Sequence, residues 1–344
     1  MDESYLIKIY KENLMTSNTK HIPQVLQNLR IPVIAAPMFT VSYPELVKAQ
    51  CKAGIVGSFP ALNARPAALL DEWLTDINTD LDSYKEENPD AVVGPLAVNL
   101  IIHNTNPRLE EDLETCVKHK VPIIITSLRA PLPELIEKVH AYGGIVLHDV
   151  INVRHAQKAI EAGVDGLILV CAGAGGHGGT LSPIALVNEV RQIFNGPIIL
   201  SGAISNGDAI LAAQVMGADF AYLGTKFIAS DEAQAVDGYK QGILKAKAAD
   251  IVYSDLFSGV HGNYLKESIV LAGLDPDNLA EVSRHKMSYE EGSSKTKAWK
   301  DIWGAGQGVG AINEILPVAT IVDNLEKEYY TAIDGVVRYK NKFK

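Results

Sequence analysis

The chain has 344 residues and a formal net charge of −10, its 41 acidic side chains outnumbering 31 Lys and Arg. This balance argues against sequence-independent nucleic-acid binding, which needs a cationic surface, but allows an anionic cofactor, since backbone N–H groups hold phosphate without lysine. Cys51, Cys116 and Cys171 form neither a zinc spacing nor a disulfide framework, residues 1–15 are too charged for a signal peptide, and no apolar run of about 18 residues offers a membrane span, which together suit a reducing cytoplasm.

From residue 31 onward one rhythm repeats: a β-branched apolar run, a loop of Gly, Asn, Ser or Pro, then an amphipathic stretch ending near glycine. The strand candidates are residues 32–36, 55–59, 92–99, 122–126, 144–148, 166–171, 197–201 and 220–223. They lack polar alternation, as expected of a parallel sheet covered on both faces. Asn152 and Asn206 are placed to cap helices that stop at Gly163 and Gly217.

An open sheet gathers its site at one crevice, whereas a barrel gathers every strand-to-helix loop at one mouth. Asn99, Ser127, Asp149, the loop after Val170, Ser201 and the pair Gly224-Thr225 each follow a different strand, so the pattern predicts a (β/α)8 TIM barrel. The expected division is a barrel over residues 1–234, a helical insertion or cap over 235–305, including the charged run 290–295, and a C-terminal helical segment over 306–344. Ile312, Ile315, Ile321, Leu325, Tyr329 and Ile333 predict one helix from about residue 310 to 339.

The loop Gly173-Ala174-Gly175-Gly176-His177-Gly178 matches GxGxxG by letter. A dinucleotide site also needs an acid ending the next strand and a helix entered at once. The next strand ends in Ser201, and the loop runs on to Pro183. The glycines instead allow close approach to a flat ligand, with His177 as a base near it.

Ser201-Gly202-Ala203 and Leu223-Gly224-Thr225 follow the seventh and eighth strands, the two loops that form the recurrent phosphate site of this barrel. Ala36-Pro37-Met38 can lie against an aromatic ring, and Asn99 on an apolar strand needs hydrogen-bond partners that a heteroaromatic ring supplies. His103 and His148 are candidates for the mouth; His21, His119, His140, His155, His261 and His285 read as surface or loop residues. No HExxH, metal-spaced acid pair, Walker loop or GxSxG occurs, so no metal site is expected.

From about Ile31 to Ala229, and again at Trp303-Gly304-Ala305-Gly306-Gln307-Gly308, these residues resemble the nitronate monooxygenases, formerly 2-nitropropane dioxygenases: FMN enzymes on a TIM barrel with a helical second domain. The most specific likeness is Ala174-Gly175-Gly176-His177-Gly178-Gly179, similar to the family's Ala-Gly-Gly-His motif, and it implies that His177 is the catalytic base. By position, the resemblance implies that Ala36, Pro37 and Met38 touch the FMN ring and that Asn99 bonds its polar edge. It implies too that Gly175 and Gly176 line the flavin, and that Gly202 and Ala203, with Tyr222, Leu223, Gly224 and Thr225, hold the phosphate beside Ser201. The chain departs from the family at Val170 and Tyr222, where glutamine is frequent, and at Asp149, where some relatives carry lysine; Asp149 is still counted with the cofactor site.

The implied reaction oxidises alkyl nitronates, and by way of His177 neutral nitroalkanes, with O2 to carbonyl compounds and nitrite. The alternative on the same scaffold is an NAD(P)H-dependent flavin oxidoreductase of the quinone reductase or enoyl-acyl-carrier reductase type. The implied partners are a small-molecule substrate and O2, with neither nucleic acid nor membrane, and a homodimer is compatible with the sequence.

Overall fold

In the computed structural model, whose described residues are 22–279 and 302–342, the eight apolar runs become eight strands of one parallel sheet. They are β1 (Val33–Ala35), β2 (Gly57–Pro60), β3 (Leu96–Ile102), β4 (Ile123–Leu128), β5 (Ile145–Val150), β6 (Gly166–Val170), β8 (Ile198–Ser201) and β9 (Phe220–Leu223). A two-residue strand, β7 (Gly176–His177), falls between them in sequence but outside this sheet. Neighbours pair in chain order, and β9 pairs with β1. The ring closes where Ala35 N–H donates to the Val56 carbonyl at 2.9 Å, beside the Ile34–Val56 bridge. Residues 1–15, His21, His285 and the run 290–295, on which expectations were stated above, lie outside the described residues.

Strand alternation sorts the side chains into two cores. Ile34, Val56, Ala97, Ile123, Ile125, Leu147, Ile168, Ile199 and Phe220 fill the barrel interior. The intervening residues, among them Val33, Val98, Ile124, Val146, Leu167, Leu200, Ala221 and Leu223, join the shell packed under the helices. Each large aliphatic side chain buried in this way contributes about 1.5–3 kcal/mol.

The expected caps are present. Asn152 accepts from His155 N–H and Asn206 from Ala209 N–H, both at 2.9 Å. Gly163 and Gly217 end the same helices, Val153–Ala162 and Gly207–Met216, in the left-handed conformation. Each N-cap contributes about 1 kcal/mol.

Three expectations are corrected. Residues 235–305 are not only helical: besides the helices Asp237–Lys245 and Lys266–Leu271, the segment forms an antiparallel hairpin of β10 (Ile251–Ser254) and β11 (Gly262–Leu265). β11 also pairs with β7, giving a three-stranded sheet. Short strands of this kind, without alternating polarity, leave no periodic signal. The C-terminal helix starts later than expected, at Val318, so Ile312 and Ile315 precede it. β3 runs on through Leu100, Ile101 and Ile102, which leaves Asn99 inside the strand rather than at its end.

The long C-terminal helix lies on the helix Gly207–Met216. Tyr329 Oη donates to Gln214 Oε1 at 2.5 Å, Glu328 accepts from Gly207 N–H at 2.8 Å, and Ile321, Val322 and Leu325 are buried. No helix among the described residues is long and apolar enough to cross a membrane.

Candidate active site

A cavity of about 670 Å³ opens at the C-terminal mouth of the barrel. This is the size of a small-molecule or cofactor site. Its floor follows from strand alternation: Asn99, Ser127, Asp149, Val170, Ser201 and Tyr222 continue the inward-facing series of their strands, and all six line the cavity. His148 and Leu223 are out of phase by one residue, and both lie away from it. His148 is 2 % exposed and bonds through Nδ1 to Thr126 Oγ1 at 2.8 Å. Leu223 is fully buried in the outer shell, and its carbonyl accepts from Ala36 N–H at 2.9 Å. His103 bonds to Thr105 in its own turn and does not line the cavity.

The floor is polar and directional. Asn99 Nδ2 donates to the Ile125 carbonyl at 3.1 Å and to Ser127 Oγ at 2.7 Å. Ser127 Oγ in turn donates to Asp149 Oδ2 at 2.7 Å. Asp149 Oδ1 and the Tyr222 hydroxyl are buried with no partner among the described residues. Burial pushes the Asp149 acid up to about 7, opposed by the Ser127 bond, and holds Tyr222 well above the usual phenol range, with Asp149 adding to the effect. Buried polar groups are normally paired, and these two oxygens belong to residues that line the cavity, so they are available to a polar ligand edge.

On the β8–β9 side, Ser201, Gly202, Ala203, Gly224 and Thr225 line the cavity, followed on the β1 side by Ala36, Pro37 and Met38. Ala203 has φ 54°, a left-handed conformation that costs a non-glycine residue about 1–2 kcal/mol. Thr225 Oγ1 accepts from Gly306 N–H at 2.9 Å, so its hydroxyl proton stays available.

The adjoining wall carries His177. A Cβ on Gly175 would lie 2.7 Å from the Gly306 nitrogen, so only glycine lets the loop lie against the late segment 303–308. Gln307 N–H donates to the Gly173 carbonyl at 2.9 Å, and Asn263 Nδ2 donates to the Ala174 carbonyl at 2.6 Å. β7 pairs Gly262 with His177 and Asn263 with Gly176. The His177 Nε2 is 2.8 Å from Ser258 Oγ, and burial pushes the ring down to about 4. His177 is therefore neutral near neutral pH.

Sequence reasoning missed Ser258, Asn263 and Tyr253, whose hydroxyl donates to the Gly178 carbonyl at 3.1 Å. The cluster of polar and aromatic residues from Tyr253 to Tyr264, in a segment without helical period, was the available signal. His155 and His261, expected at the surface, are exposed but line the cavity, His261 stacked on Tyr253 at 5.0 Å. Arg65, also unforeseen, lines it beside Phe39.

A family model described as nitronate monooxygenase matches residues 23–328. A nitronate monooxygenase from Paraburkholderia phytofirmans is 27% identical over 349 residues, covering 90% of this chain and 95% of its own. A probable nitronate monooxygenase from Staphylococcus aureus is 25% identical over 296 residues, covering 76% and 83%. Among solved structures, FabK from Thermotoga maritima superposes with a TM-score of 0.72 at 24% identity, covering 92% of this chain and 97% of its own. A nitroalkane oxidase from Streptomyces ansochromogenes also gives 0.72, at 22% identity and covering 91% and 99%. Both share the fold.

The closed barrel, the cavity at its mouth and these relatives define the class: a flavin-dependent oxidoreductase of (β/α)8 type. Within that class, the chain belongs to the nitronate monooxygenase family.

Proposed function

We propose that the chain is an FMN-dependent nitronate monooxygenase that oxidises alkyl nitronates, and neutral nitroalkanes through prior deprotonation, with O2 to carbonyl compounds and nitrite. The observation that carries this reading is His177: a neutral imidazole in the cavity wall, facing the same space as the polar floor and held by Ser258. A neutral histidine placed there accepts the proton from the carbon bearing a nitro group. When bound, FMN supplies the electron-accepting and O2-reducing chemistry.

The residues fit that cofactor. The orphaned Asp149 and Tyr222 oxygens and the Asn99 amide suit the polar edge of the ring system. Ala36, Pro37 and Met38, with Gly175 and Gly176, offer small or apolar surface to its faces. Ser201, Gly202, Ala203, Gly224 and Thr225 supply the phosphate end, where backbone N–H groups do the work that lysine does elsewhere. The inserted hairpin adds Tyr253, Phe257 and Ser258 to the lining.

The test is anaerobic mixing of the FMN-loaded protein with ethylnitronate and, separately, with NADH. Bleaching of the flavin by ethylnitronate and not by NADH is expected. Bleaching by NADH alone assigns the flavin-reductase alternative, and a protein that takes up no FMN overturns the proposal.

A further inference from the structure

The hydrogen-bond directions in the cavity floor are determined by the atoms themselves. The Ile125 carbonyl can only accept, so the Asn99 nitrogen must face it, and that nitrogen's second proton goes to Ser127. Ser127 has a single proton, which goes to Asp149 Oδ2. Asn99 is thus left with Oδ1 as its acceptor at the cavity. A proton on the Asp149 carboxyl must then reside on Oδ1, the oxygen buried without a partner among the described residues. The floor accordingly offers an acceptor from Asn99 beside donors from Asp149 and from the equally orphaned Tyr222 hydroxyl. The imide edge of a flavin's pyrimidine ring is the complement, with one N–H between two carbonyls.

We infer that Asp149 meets the flavin as a carboxylic acid, donating from Oδ1 to a pyrimidine carbonyl, and that its ionisation changes the flavin's electronic state. This rests on the FMN reading above. As a carboxylate, Oδ1 would set an acceptor and a negative charge against a carbonyl oxygen, so loss of the proton turns an attraction into a repulsion.

The groups packed around Asp149 leave it as the titrating member. β3 contributes Asn99, β4 Ser127 and β9 Tyr222, while its register partner on β6 is the apolar Ile168. The other ionisable groups lining the cavity, Arg65, His155, His177, His261, Tyr239 and Tyr253, form no hydrogen bond or ion pair with Asp149. Burial, which raises the acid to about 7, brings its ionisation into the neutral range.

The test follows the visible spectrum of the FMN-loaded protein from about pH 5 to about pH 9. Wild type should show a one-proton spectral step at or above neutrality, because a flavin carbonyl that favours the acid form moves the ionisation upward from about 7. Asp149→Asn, which still offers an N–H donor, should lack the step and keep the acid-form spectrum throughout. Ser127→Ala removes the bond that lowers the acid's pKa and should move the step to higher pH; it also serves if Asp149→Asn fails to fold. A flat wild-type spectrum, a step that survives Asp149→Asn, or one that Ser127→Ala leaves in place overturns the inference. Turnover of ethylnitronate on the same samples separates the two claims. A step without turnover removes the monooxygenase reading and leaves Asp149 standing; turnover without a step does the reverse. A protein that takes up no FMN overturns both.

Discussion

Asn99, Ser127, Asp149 and Tyr222 stand on strands of a closed barrel, whereas His177 stands on a two-residue strand held by a hairpin whose Ser258 lies 81 residues further along the chain. The floor inherits its geometry from the ladder: once the strands pair, alternation aims these side chains inward. The wall has no such guarantee. Its position depends on backbone contacts between the glycine loop, β11 and the segment 303–308, and elements held by few contacts open first. The cavity therefore joins a floor set by one continuous sheet to a wall, carrying the proposed base, that is set by contacts between distant segments.

The largest expected effect comes from removing the base itself. His177→Asn should lower turnover of neutral nitroalkanes by about 10²–10⁴-fold while largely sparing preformed nitronates. Equal loss on both substrates, measured by nitrite release, would sink the base assignment.

A second substitution breaks the wall and leaves the floor alone. A Cβ on Gly262 would lie 2.8 Å from the Gly176 carbonyl oxygen, so Gly262→Val should unpair β7 from β11. The expected cost is about 1–3 kcal/mol of stability, with faster amide exchange in the glycine loop and FMN binding largely kept. Loss of FMN binding in step with nitroalkane turnover would show that floor and wall are one unit.

Ser258→Ala removes one hydrogen bond to the imidazole, worth about 0.5–1.5 kcal/mol, so a loss of up to about tenfold is expected in kcat on neutral nitroalkanes. Little change in nitronate KM should accompany it. A KM effect without a kcat effect would instead make Ser258 a substrate contact.

The smallest effect is a pH dependence. Burial lowers His177 from 6.5 to about 4, so the base form persists on acidification and the acid limb for neutral nitroalkanes should fall near pH 4. The same shift makes stability decline as pH drops from 6.5 toward 4, because the unfolded chain binds that proton more readily. An acid limb near 6.5 would show the ring to be solvated.

Much of the floor is legible in the sequence. Parallel strands announce themselves as continuous apolar runs, so a polar residue near the end of one, such as Asn99 or Asp149, stands out. The choice between neighbours did not. Asp149 and His148 are adjacent, as are Tyr222 and Leu223, and only the strand phase decided which of each pair enters the cavity. A register read one residue out inverts every such assignment.

His177 was legible as a histidine among glycines, but what holds it was not. Ser258 and Asn263 lie in a segment without periodicity, and their roles exist only because β11 adds to β7.

The sequence by itself determined the barrel, its caps and the loops at its mouth, because these depend on local hydrophobic pattern and on turn and capping residues read over short windows. Tertiary structure alone decided three things: which strand residues face inward, that the Asp149 acid is buried with one oxygen unsatisfied, and that His177 is held neutral against Ser258. Each depends on desolvation and on pairing between residues distant in the chain, which no local window contains.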